Sequence, residues 1–247
     1  MTLRCAAALV AVLALAACSG APSGATASAQ SGAPTVASVG TPASVPAGDA
    51  ARASATVDGV VITEVSFNRE LNAIGAVPGY LDAADRVRAQ GAVTTRLASG
   101  AFDPGYVRSL LRRRVLFALV EHELQQRGIT VTDTCTRAAT DLLPSAFDGD
   151  ADHGRAFLAA FPTTYRDQLV LWSAEVRELQ AALSGLPCDT AEPSAQNIVG
   201  TAYATWLDAT LPIAAITVDP AYGTWDPASG RILPPADVAP VPTAPSR

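Results

Sequence analysis

Few side chains in this chain have the type and spacing that chemistry needs. Of 247 residues, two are histidines and four are cysteines. His122 opens the run HELQQ, the first half of the zinc-binding pattern H-E-x-x-H. That pattern needs a second imidazole one helical turn on, so that both face one metal, and Gln126 holds the position. His153 follows Asp148-Gly149-Asp150-Ala151-Asp152, whose alternating carboxylates match the start of a calcium loop. Such a loop needs glycine at its sixth position and glutamate at its twelfth; this chain has His153 and Ala159 there. A helix histidine and a solvated loop account for the same residues. No G-x-S-x-G elbow, phosphate-cradling glycine loop or dinucleotide fingerprint occurs in the folded region. Carboxylates are plentiful, but no pair is marked by its surroundings. No residue is assigned as catalytic, and no metal or cofactor is expected.

The cysteines carry more information. Arg4 precedes an almost unbroken apolar stretch, Cys5 to Ala17. A basic start, a short apolar core and a small-residue cut site make an export signal. The stretch is too short to span a bilayer, which takes about 20 residues. Its end, Leu15-Ala16-Ala17-Cys18, resembles the lipobox of bacterial lipoprotein precursors. The resemblance implies that residues 1–17 are a signal peptide. It also implies that Cys18 carries diacylglycerol and becomes the first mature residue, on the outer face of the cell membrane. Cys5 leaves with the signal. Cys135 and Cys188 remain, an even pair in an exported protein, where oxidation is the default. A disulfide between them would close a loop of about 54 residues and contribute ~4 kcal/mol in the chain-entropy picture. Two unpaired buried thiols or a redox site are the alternatives, and a redox pair lacks its usual Cys-x-x-Cys spacing.

Composition bounds the folded part. Ser19 to Gly48 holds no charged residue and is almost wholly Ala, Ser, Gly, Pro, Thr and Val. Such a segment cannot bury enough surface to offset its ordering entropy, so residues 18–52 are expected to form a tether. Its root-mean-square span would be roughly 30 Å. Residues 234–247 form a proline-rich tail expected to be disordered, which leaves 53–233 as one domain. Net charge is −6, and every basic residue is arginine. An acidic chain without a basic cluster argues against a nucleic-acid partner.

The elements follow from periodicity. ATVDGVVIT (55–63) predicts two short strands about Asp58-Gly59, or one bent strand. Thr63 is a plausible N-cap for a helix through Ile74, closed by Gly75 and Pro78-Gly79. Leu81 to Leu97 reads as one helix broken near Gly91. The strongest helix runs from about Pro104 to Arg127, apolar on several faces and so expected at the domain centre. Within it, Arg112-Arg113-Arg114 reads as the solvated face. Further helices are expected from Thr132-Asp133 to about Leu143, Arg155 to Phe161, Thr163 or Thr164 to Ser184, and Ile198 to Leu211. A strand at Ile213 to Val218 follows. The fold class is mainly α with a small β element, of about six helices.

Taken in order, these pieces resemble a family. ATVDGVVIT followed by EVSFNREL resembles the opening of SurA-like periplasmic chaperones and PrsA-like foldase lipoproteins. The apolar helix ending QQRGITVTD, the element FLAAFPTTYRDQLV and the end ATWLDATLPIAAITVDPAYGTWD resemble their central helix, next helical pair and returning helix and strand. The likeness covers about Ala55 to Asp226. Foldases of this family carry a parvulin-type prolyl isomerase domain before the returning helix. Here only Gly185 to Asn197 stands in that place, so the resemblance implies the chaperone domain without the isomerase. The expected function is a membrane-tethered, non-catalytic chaperone for unfolded or nascent exported polypeptides. An interaction lipoprotein holding one envelope partner is the alternative, and a prolyl isomerase or divalent-metal enzyme the third reading. Phe67, Tyr80, Phe117, Trp172 and Trp206 are expected mainly in the core; Tyr222 and Trp225 are expected to clamp the terminal segment.

Overall fold

The computed structural model describes residues 48–88, 94–147 and 150–235. The residues read as a signal peptide, Cys18, most of the stretch read as a tether and nearly all of the proline-rich stretch lie outside the described residues. The fold is mainly helical with a small antiparallel sheet. Among the described residues, no helix is long and apolar enough to cross a membrane.

The chain enters through a hairpin, β1 (Ala53–Val57) and β2 (Val60–Thr63). Asp58 and Gly59 both have positive φ, 47° and 88°, the backbone of the tight turn that matches strand twist. Strand β3 (Ile216–Val218) adds to the other side of β1, in the order β2-β1-β3. Ala55, Val57 and Ile62 turn inward and are buried, while Val61 and Thr217, flanking Thr56 on the opposite face, are exposed. The Thr56 and Thr217 hydroxyls are hydrogen-bonded across that outer face.

Helix α1 (Glu64–Gly75) starts where the sequence places it, with the Thr63 hydroxyl accepting from the Ser66 N–H. Pro78-Gly79 opens α2 (Pro78–Arg88) rather than closing α1. Proline suits a first helical turn because its missing N–H has no partner there anyway. Thr94 to Asp103 is not helical; Arg96 and Phe102 form an isolated bridge. The strongest predicted helix is α3 (Pro104–Gln126), capped by Asp103. It buries Leu110, Leu111, Val115, Leu116, Leu119, Val120 and Leu124 around its circumference and packs on β1, β2 and the later helix α6.

Beyond it lie α4 (Asp133–Leu142), a 3-10 turn (Leu143–Ala146), α5 (Ala151–Ala160), α6 (Thr163–Ser184) and α7 (Pro193–Thr210). Two of these helices start elsewhere than expected, and β3 begins at Ile216 rather than Ile213. Helix α5 begins earlier because Asp150 caps it, accepting from the N–H groups of Asp152 and His153. Helix α7 begins at Pro193, again a proline in the first turn. Only Gly185 to Glu192 joins α6 to α7. A further hairpin, β4 (Thr224–Asp226) with β5 (Arg231–Leu233), has no counterpart in the sequence reading. It lies on α3, held by the Arg112 guanidinium donating to the Gly230 carbonyl. Tyr222, just before it, meets Phe67 edge-on at 5.6 Å.

Candidate functional site

The Arg112-Arg113-Arg114 run is not a solvated face. Arg113 is 7% exposed and sits in the core. Its Nη2 donates to Glu70 Oε1 at 2.7 Å and to the Tyr165 hydroxyl at 3.0 Å. Glu70 lies on α1 and Tyr165 on α6, so three helices meet at one guanidinium. Arg114 Nε stands 3.5 Å from the second Glu70 oxygen without making a hydrogen bond, and its guanidinium lies 4.2 Å from the Trp172 ring centre. Phe117 stacks on the same indole at 4.8 Å. A buried charge survives only when paired and hydrogen-bonded, and Glu70 answers Arg113 in this way.

This polar knot forms one wall of an aromatic corner. Tyr165 meets Phe161 edge-on at 5.1 Å, and Phe161 meets Tyr80 at 5.4 Å. Tyr80 contacts Phe147 at 5.7 Å and Phe157 at 5.8 Å. Five rings, from α2, α5, α6 and the residues just after the 3-10 turn and α5, are therefore contiguous, with edge-to-face contacts of the kind ring quadrupoles favour. Phe161 and Tyr165 are buried; Tyr80, Phe147 and Phe157 are half-exposed. Tyr80 was singled out in the sequence. The others were not, because Phe147, Phe157 and Phe161 fall in a stretch read as a loop and a short helix.

Further along α6, Glu175 is half-buried. Burial, with Glu121 across the α3–α6 seam, pushes its carboxyl up to about 7, while Arg114 pulls the other way. Such a shift marks a group worth testing and does not by itself make it catalytic.

The cysteine pair is where the sequence puts it. Cys135 and Cys188 are joined, with Cα atoms 5.1 Å apart, within the normal disulfide range. Cys135 is fully buried in the first turn of α4, and Cys188 lies in the α6–α7 link. Glu178 of α6 accepts from the Thr132 N–H and hydroxyl, so the same end of α4 is both capped and cross-linked. Cys18 lies outside the described residues. His122 is half-buried on α3, with Gln126 exposed one turn on. Asp150 spends a carboxylate oxygen on the start of α5; Asp148 is outside the described residues.

Searches with the whole chain find no matching protein-family model, no matching curated protein and no matching solved structure.

Proposed function

We propose that this chain is a lipid-anchored, non-catalytic chaperone that binds unfolded segments of exported proteins outside the cell membrane. The observation that carries the reading is topological. An entering β-hairpin and a first helix are closed by a returning helix and strand, with Val218, Thr217 and Ile216 pairing against Ala55, Thr56 and Val57. That is the arrangement implied by the resemblance to the SurA-like and PrsA-like family. At the point where the family's foldases insert their isomerase, Gly185 to Glu192 joins α6 to α7. Eight residues cannot hold a domain, which takes upwards of about 50. The reading is therefore of a holding role and not of proline isomerisation.

Two further features fit. Large apolar side chains stand in water on several elements, among them Ile213 at 83% exposure, Leu171 and Leu142. Lipidation at Cys18 would keep the domain where unfolded exported chains emerge, and residues 18–47 would set its reach. The test is protection of an unfolded exported client from aggregation by the mature protein, with a proline-isomerisation assay alongside. Protection without isomerase activity supports the reading. Crosslinking in intact cells separates it from the alternative: many weak clients are expected, and one stoichiometric partner would favour an interaction lipoprotein instead.

A further inference from the structure

Helix α5 is held to the molecule differently from every helix around it. Its only buried residue is Gly154. Ala151, Phe157 and Leu158 are half-buried, and its other residues are exposed. Two of its ties are short-range, the Asp150 cap and an Asp152–Arg155 pair. Its neighbour α4, by contrast, has a disulfide, a carboxylate from α6 bound to its N-cap Thr132, and three residues buried against the domain. A ten-residue helix is marginal on its own and draws its stability from packing. Segments with few buried contacts open at low free energy.

The seat of α5 is nonetheless specific. A Cβ built on Gly154 would lie 1.8 Å from the Pro144 carbonyl oxygen, so only glycine permits this crossing of α5 over the 3-10 turn. That approach brings Phe157 against Tyr80 and Phe147, 5.8 and 6.1 Å between ring centres. Behind them lie Phe161, Tyr165 and the Arg113–Glu70 pair, which fix the floor. A firmly built aromatic site is thus filled by a side chain from the helix with the fewest buried residues.

We infer that α5 is an internal occupant of the client site: an apolar segment of an unfolded chain displaces Phe157 and packs against Tyr80, Phe147 and Phe161. The inference rests on the chaperone reading and adds the place of binding and its control. Binding then carries the cost of releasing α5, and any change that unseats α5 tightens binding by raising the fraction of open molecules. Gly154→Ala is the direct variant. It favours the helix itself, since alanine is the better helix former, yet it cannot be accommodated against Pro144.

The test uses the full mature protein and a labelled, unstructured peptide of polar residues carrying two phenylalanines, with a Phe→Ser peptide as control. Binding is measured for the native chain, Gly154→Ala, Phe157→Ala and Tyr80→Ala, with hydrogen exchange followed across 151–160. Circular dichroism checks each fold. Phe157→Ala vacates the site without touching the Pro144 contact, so it replaces Gly154→Ala if that variant unfolds. Expected are several-fold tighter binding by both α5 variants, loss of binding in Tyr80→Ala, and faster exchange in α5 when peptide is added to the native chain. If the native protein protects clients and binds the peptide while α5 exchange and the variants' affinities stay unchanged, the inference is overturned and the chaperone reading stands. If neither peptide nor unfolded client binds any form, both fall.

Discussion

Arg113 shows how one side chain can organise a core. Its guanidinium joins α1, α3 and α6 through Glu70 and Tyr165, and both members of the ion pair are almost wholly withdrawn from water. Removing one partner strands the other charge. Glu70→Gln or Arg113→Met is therefore expected to cost about 3–5 kcal/mol, read as a lower denaturation midpoint, whereas replacing both together costs far less. Glu175 gives a prediction of opposite character. Burial and Glu121 raise its folded pKa to about 7, above the roughly 4.3 of an unfolded glutamate. The folded state holds this proton more tightly, so the contribution is complete below about pH 4 and is lost as pH rises through about 7. Glu175→Gln should then raise the melting temperature relative to the native chain near pH 8 and change it little near pH 4; an equal shift at both would contradict this. Neither residue was legible beforehand. Three consecutive arginines cover most of a helix circumference, and nothing in a local window tells which one meets a carboxylate 43 positions earlier. The Thr63, Asp103 and Thr132 caps depend only on neighbours a few residues on, and two of them, Thr63 and Thr132, were read directly.

At the scale of elements, the same division holds. The Asp58-Gly59 turn, the many-sided α3 and the stop of α6 at Gly185 carry their own signals, and each appears in the structure. Pro78 misled, because proline marks the first turn of a helix as readily as the end of the last one, and Pro193 opens α7 in the same way. The β4–β5 hairpin escaped notice since each strand has three residues and its hold on the molecule comes from Arg112, more than a hundred positions away. The Cys135–Cys188 link is the element-scale feature most open to measurement. It joins the start of α4 to the α6–α7 link across 53 positions. Cys135→Ser is expected to destabilise by about 4 kcal/mol in the chain-entropy picture, and reduction of the native chain should approach the same midpoint. Native and reduced protein melting together would show that the link contributes nothing.

The whole molecule is a cross-linked helical scaffold whose first described residues are fastened to it. One contiguous core runs from the β1–β2 hairpin through α3 to Ile232 of β5. Residues 49–52 fasten to a defined point on it. The Asp49 N–H donates to Glu64, and Arg52 pairs with Asp219 beside β3, at 2.6 Å. Replacing Cys18 by alanine is expected to release the protein from the membrane fraction and abolish palmitate labelling without changing its melting temperature; retention on the membrane would exclude the lipid anchor. The central claim is that this scaffold holds unfolded chains without catalysing their isomerisation. The direct measurement is light scattering of a denatured exported protein diluted into buffer with the mature chain at equal molar amount. Suppressed aggregation is expected, with no acceleration of proline isomerisation in a peptide assay. Aggregation unchanged by the protein, or isomerisation above the uncatalysed rate, would contradict it.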